Sequence, residues 1–141
     1  MSMLDTYRNN LLRKREEAAK LNQDLAKEQA KIAPLQQKII SANAAIGRTK
    51  SASTIKSKLN EIERANKAIA DTQKKVGDIQ KKLAQKEKEI AAAEKTYHNE
   101  ETKVNKKAAD AEKKRIQEAS RQSAALEQAI HRQEQIGRAH V

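Results

Sequence analysis

The sequence predicts an all-α protein: a long antiparallel helical hairpin or coiled coil, with its turn near residues 47–54. Two observations lead to this fold. Apolar residues recur at every seventh position along two stretches of equal length, and the repeat is interrupted once, between them. A sustained seven-residue apolar repeat is typical of helices that wrap around one another in a left-handed supercoil. A disordered chain has no reason to keep such a phase.

The first stretch predicts a helix over residues 3–46. Its seam residues, one in every seven positions, are Leu4, Leu11, Ala18, Leu25, Ile32, Ile39 and Ile46. A mixed second seam lies three residues further on and consists of Tyr7, Lys14, Leu21, Glu28, Leu35 and Ala42. Pro34 interrupts this helix, because proline removes one helical hydrogen bond and clashes with the preceding turn. We therefore expect a kink or a short break near residues 31–33, with the heptad phase preserved.

The second stretch predicts a helix over residues 53–135. Its seam residues are Ile55, Ile62, Ile69, Val76, Leu83, Ile90 and Tyr97, and Val104 continues the series. Between the two stretches, Gly47 suits the left-handed residue that often ends a helix. The hydroxyl of Ser51, Ser53 or Thr54 can cap the next helix by accepting a bond from a free backbone N–H group.

Folding back at this turn would align the two seams in one antiparallel register. Ile46 would face Ile55, Ile32 would face Ile69, and Leu4 would face Tyr97. The same register places Lys14 near Glu87, which gives the polar seam residue an opposite charge. The alternative is one continuous helix in a parallel homodimer. Gly47 and the matched lengths of the two stretches favour the hairpin.

The chain beyond Val104 has a different pattern. Its apolar positions are fewer and rich in alanine, and Ala108, Ala119 and Ile130 follow Tyr97 at intervals of eleven. The first helix ends too early to cover this segment. We expect the segment to pair with another chain, to fray, or to pack on something absent from the sequence. A homo-oligomer, a dimer or larger, is the expected state.

The composition disfavours a compact enzyme. Leu, Ile and Val number 24 of 141 residues, too few for the apolar core that an enzyme of this length requires. The absence of cysteine excludes disulfides, thiolate catalysis and Cys-ligated zinc. No apolar run approaches a membrane span, and the first residues lack the apolar core of a signal peptide. We expect a cytoplasmic protein without a membrane partner.

No residue pattern indicates a chemical site. The segment from Gly47 to Ser51 lacks the spacing of a phosphate-binding loop. His98 and Glu101 are too few to ligate a metal, and His131 and His140 have no partner pattern. We therefore expect no catalytic residue, no metal, no cofactor and no small-molecule ligand.

The net charge of +11 suggests a second, less favoured function. A stand-alone basic coiled coil could bind nucleic acid or another anionic partner through its lysines. Two features disfavour nucleic acid. The lysines are interleaved with glutamates along the sequence, and the only aromatic residues, Tyr7 and Tyr97, lie on the seams and cannot stack on bases.

The segment IGRTKSASTIKSKLNEI, residues 46–62, resembles a turn in the N-terminal coiled coils of bacterial TIR-domain (Toll/interleukin-1 receptor-like) proteins. The opening residues MSMLDTYR, with RKRE at 13–16, also resemble the start of such proteins, and the resemblance covers roughly residues 1–115. It implies an N-terminal assembly module for a C-terminal TIR domain, which typically cleaves NAD with a catalytic glutamate. No residue of this chain matches that catalytic motif, so no catalytic role is transferred.

The last six residues predict a truncation. IGRAHV, residues 136–141, is what the codons ATC GGA AGA GCA CAC GTC of a widely used sequencing-library adapter encode, and the next codon of the adapter is a stop. We therefore expect residues 136–141 to be non-native and the natural protein to continue beyond Gln135.

Overall fold

A computed structural model describes residues 1–139, and the described chain forms three α-helices. They are α1 (Met3–Gln29), α2 (Ile32–Arg48) and α3 (Ala52–Ala139). Residues 1–139 contain no β-strand, so the prediction of an all-α protein is confirmed. His140 and Val141, which belong to the segment expected to be non-native, lie outside the described residues.

The break between α1 and α2 occurs at Ala30 and Lys31, so it overlaps the predicted range of 31–33 at Lys31 and begins one residue earlier. Pro34 explains its position, because the proline ring would clash with the carbonyl group of Ala30, four residues earlier, in a continuous helix. The chain makes a tighter turn there, because the Lys31 N–H group donates to the carbonyl of Glu28, three residues earlier, over 3.1 Å. Pro34 itself lies in the first turn of α2, where helices do not require its missing N–H group.

The turn between α2 and α3 differs from the sequence expectation at Gly47. This glycine lies inside α2, and its φ is not positive, so it does not act as the left-handed residue that ends the helix. The helix ends one residue later because Thr49 is extended, with φ −120° and ψ 151°. A β-branched residue adopts this conformation readily, so no glycine is required.

Ser51 is the residue that caps α3. Its hydroxyl oxygen accepts a hydrogen bond from the Thr54 N–H group over 3.4 Å, and its carbonyl accepts one from Ile55 over 3.0 Å. Of the three candidate caps, Ser53 and Thr54 instead lie within the first turn of the helix. A serine in this position satisfies N–H groups that have no partner within the helix.

Both α1 and α2 pack against α3, whereas they hardly contact each other. We call these two helices together the first arm. The arm covers α3 only as far as Glu101, and every residue from Thr102 to Arg138 is exposed. We call residues 102–138 the extension. It is a single uncovered helix about 55 Å long, at 1.5 Å per residue. Among the described residues, no helix has a segment long and apolar enough to cross a membrane.

Candidate interaction surfaces

The predicted seam residues all lie at low exposure in the structure. Leu11 and Leu83 are buried, and the other twelve are half-buried: Leu4, Ala18, Leu25, Ile32, Ile39, Ile46, Ile55, Ile62, Ile69, Val76, Ile90 and Tyr97. Apolar residues outside the heptad phase behave differently, since Leu12, Ile40 and Leu59 are exposed. From Leu4 to Tyr97, exposure therefore follows the seven-residue repeat, whereas Val104, the next position of the series, is 41% exposed beyond the end of the first arm.

A further row of residues on α3 completes this surface, and the sequence analysis missed it. The row lies three residues after each seam residue and consists of Lys58, Ala65, Thr72, Ile79, Lys86, Ala93 and Glu100. Ala65, Thr72 and Ala93 are among the most buried residues of the protein. The spacing of three could have revealed them, but small and polar residues give a weak signal when apolar periodicity is the criterion.

A cluster of charges bridges α1 and α3. The Lys86 amino group forms an ion pair with Glu17 across the helices and lies 3.2 Å from a carboxylate oxygen of Glu89 on its own helix. Lys14 joins the cluster, with its amino group 3.5 Å from Glu89. Hydrogen bonds from Lys86 lower the pKa values of Glu17 and Glu89, and the hydrogen bond to Glu17 raises the pKa of Lys86.

The partner of Lys14 is Glu89, so the predicted pairing with Glu87 is wrong. The two-residue difference has a geometric cause. Side chains on a helix lean toward its N-terminus, so a long side chain such as that of Lys14 reaches a residue other than the one that its Cα atom faces. Glu87 is exposed instead.

Two further contacts join α1 and α3 nearer the start of the chain. A guanidinium nitrogen of Arg15 lies 2.9 Å from a carboxylate oxygen of Glu94. The guanidinium carbon of Arg8 lies 5.8 Å from the centre of the Tyr97 ring, within the range of a cation–π interaction. Arg8, a basic residue of the first arm, therefore contacts the ring of the seam residue Tyr97.

Glu28 is the least satisfied polar residue of the seam. One carboxylate oxygen accepts a hydrogen bond from Lys31 over 2.8 Å, and this bond lowers the pKa of Glu28. The other oxygen is buried and has no hydrogen-bond partner among the described residues. A buried polar atom without a partner destabilises the folded state.

The residues that could catalyse a reaction or bind a metal are dispersed along the chain. His98 Nδ1 lies 3.8 Å from Glu101, and His131 Nε2 lies 3.3 Å from the amide of Gln135. No group of three or more potential metal ligands occurs in the part of the chain that the structure describes. The turn from Gly47 to Thr54 contributes the helix cap at Ser51.

The extension carries a heptad of its own, displaced in phase from that of the seam. Alternating steps of three and four residues connect Ile116, Ala119, Ser123, Leu126, Ile130 and Gln133. The large apolar members are strongly exposed: 59% for Ile116, 62% for Leu126 and 49% for Ile130. Spacing of this kind places the residues on one stripe of a helix, which is the form of an unpaired coiled-coil seam.

Comparisons with protein-family models, with curated proteins and with solved structures find no match to this chain.

Proposed function

We propose that this chain is a non-catalytic coiled-coil module that self-associates and acts as a scaffold. One observation carries the proposal: α3 continues far beyond the end of the first arm and exposes a heptad of apolar residues there. A single helix in water is marginally stable, because its nucleation is costly and its apolar side chains stay hydrated. A second copy of the same helix would bury the exposed stripe.

The charge distribution supports association between copies at this stripe. The whole chain has a net charge of +11, which opposes contact between two copies. Residues 116–135 are nearly balanced, with two basic and three acidic residues, whereas residues 103–115 hold six basic and two acidic ones. Two copies can therefore meet along the balanced segment with little repulsion.

The first arm and α3 form, in this proposal, an antiparallel coiled-coil hairpin. The order of three contacts supports it, since partners on α3 decrease in number as residues of α1 increase: Arg8 with Tyr97, Lys14 with Glu89, and Glu17 with Lys86. Arg15, whose side chain is long, reaches Glu94 outside this order. The seam residues and the row beside them are the positions that coiled coils bury. The pairing of the other seam residues between the first arm and α3 remains a prediction.

A disulfide experiment tests the hairpin, because the chain has no natural cysteine. The double variant Ile39→Cys with Ile62→Cys should form an intramolecular bond under mild oxidation and migrate as a monomer on a non-reducing gel. Ile40→Cys with Ile62→Cys is the matched control, since Ile40 is 60% exposed and lies off the seam. Covalent dimers from the first variant at low protein concentration would instead indicate paired straight helices.

A second pair of variants tests self-association. Leu126→Glu with Ile130→Glu places two charges on the exposed heptad, and Ala124→Glu with Gln128→Glu places the same charges on the opposite side of the same turns. Light scattering at high micromolar concentration should show an oligomer for the wild type and the control, and a monomer for the heptad variant. A monomeric wild-type chain under these conditions would contradict the proposal.

The larger role that we propose is the assembly of a C-terminal effector in the cytoplasm. Its support is the resemblance of residues 46–62 to the turn in TIR-domain proteins, for which the effector would be an NAD-cleaving domain outside this chain. Sequencing the natural gene beyond the codon of Gln135 tests this proposed role. An open frame that encodes a TIR domain supports it, and a different domain or an immediate native stop contradicts it.

A further inference from the structure

A regular row of lysines follows the outer side of α3. Lys67, Lys74, Lys81, Lys88 and Lys95 are spaced by seven residues, each five residues after a seam residue. We call these five residues the lysine ridge. At 1.5 Å per residue, the amino-bearing positions are about 10.5 Å apart and the ridge is about 42 Å long. All five side chains are exposed.

The ridge is specific to α3. The equivalent outward positions of the first arm, five residues after each of its seam residues, contain no lysine: they are Asn9, Glu16, Gln23, Ala30, Gln37 and Ala44. Solubility alone would be served by charges of both signs on either helix. The outward rows of α3 and of the first arm at this heptad position therefore differ in charge.

Three acidic residues of α3 near the ridge are engaged by cationic or imidazole groups outside it. Glu89 is paired with Lys14 and Lys86, Glu94 with Arg15, and Glu101 lies beside His98. None of the five ridge amino groups lies within 4.0 Å of a carboxylate in residues 1–138. Asp71 and Asp78 lie three or four positions from ridge lysines and are also exposed, so this side of α3 is net basic but carries acidic neighbours.

The residues beside the ridge are small. Ala70, Gly77, Ala84 and Ala91 each follow a ridge lysine by three positions. Residues of this size allow a large partner to approach the helix closely. No aromatic side chain and no apolar residue larger than alanine lies between the ridge lysines on this side of the helix.

We propose that the lysine ridge binds the phosphate backbone of double-stranded nucleic acid without sequence specificity. A fixed row of cations gains affinity by releasing the counterions condensed on a duplex, and it needs no contact with bases. Unpaired strands are bound mainly through stacking on aromatic side chains, which the ridge lacks. Anionic membranes hold helices through apolar anchors beside the lysines, which it also lacks. Its length corresponds to about 12 base pairs.

The experiment measures binding of the full chain to a 30-base-pair duplex of mixed sequence between about 50 and 200 mM salt. If all five lysines engage phosphates, the slope of log K against log salt is about −4.5. The triple variant Lys74→Gln, Lys81→Gln, Lys88→Gln should make the slope shallower by about 2.7 and weaken binding at least about tenfold at the lower salt concentration.

The control is the triple variant Lys20→Gln, Lys27→Gln, Lys50→Gln, which removes the same charge from exposed lysines away from the ridge. Circular dichroism should show both variants folded. Equal losses of affinity in the two variants would show that binding depends on net charge and would overturn the assignment to the ridge. Absence of wild-type binding at low salt would overturn the proposal. Tighter binding to an unpaired 30-mer, or to vesicles containing phosphatidylserine, would overturn the assignment of a duplex.

Discussion

Leu11 and Leu12 are neighbours in α1, yet Leu11 is 4% exposed and Leu12 is 47% exposed. The two residues have the same side chain and the same secondary structure, and they differ only in direction. Leu11 points toward α3 because it keeps the heptad phase of the seam, whereas Leu12 lies one position, about 100°, around the helix. The pair therefore separates the energetic effect of burial from the effect of composition.

Replacing Leu11 with alanine should destabilise the protein by about 2 kcal/mol or more, because it removes buried methyl groups and leaves a gap between the helices. Leu12→Ala should change the free energy of unfolding by less than about 0.5 kcal/mol. Urea unfolding followed by circular dichroism at one protein concentration measures both. Equal effects of the two substitutions would mean that α1 does not pack on α3 through the heptad.

Gly47→Ala should stabilise the protein by about 0.5 to 1 kcal/mol. Gly47 is helical without a positive φ, and a Cβ atom added there would meet no heavy atom within 4 Å. Alanine has the higher helix propensity and fewer unfolded conformations to lose. Thermal unfolding compares the variant with the wild type. A clear loss of stability would show that this glycine is left-handed after all.

Glu28→Leu should raise the thermal midpoint by a few degrees. The substitution removes the buried carboxylate oxygen that lacks a partner and places an apolar side chain between Leu25 and Ile32. Replacing a partly satisfied buried charge with a hydrophobic residue is often stabilising. Glu16→Leu, at an exposed position of the same helix, is the control and should not raise the midpoint. A lower midpoint for Glu28→Leu alone would identify its bond to Lys31 as the dominant interaction.

Acid should weaken the contact between α1 and α3. The folded pKa values of Glu17 and Glu89 lie below the ordinary value of 4.5, because both carboxylates accept hydrogen bonds from Lys86. Their stabilisation is complete above that value and is lost as the pH falls through the lower folded values. The Lys86 pKa is raised from 10.5, so its contribution is lost only as the pH rises above that value.

The variant Lys86→Gln tests this pH dependence. Its loss of stability relative to wild type should be largest near neutral pH and should shrink below pH 4.5. Lys82→Gln removes the same charge from an exposed neighbour and should show a smaller loss without this trend. A constant difference for Lys86→Gln across the acid range would show that the lysine contributes only packing.

The helices and the seam could be read from the sequence because they depend on local periodicity. Leu11 and Leu83 were identified by spacing alone, and the break that Pro34 causes was placed to within two residues. Gly47 was misread because Thr49 can end a helix in extended backbone, and the sequence does not exclude this alternative. Ala65, Thr72 and Ala93 were missed because small and polar residues give a weak apolar signal, although they keep the spacing of the seam.

By itself, the sequence determined that the chain is helical and which stripe of each helix is apolar, since a side chain's direction on a helix follows from its position. Only the tertiary structure decided where the charges stand relative to one another. Glu89 and Lys81 both belong to a stretch of mixed charge, but packing places Glu89 beside Lys14 of the first arm, whereas Lys81 stays exposed, with no carboxylate within 4.0 Å among the described residues. The physical reason is that ion pairing and exposure depend on the distance to another helix. The position of a residue along its own helix gives no information about that distance.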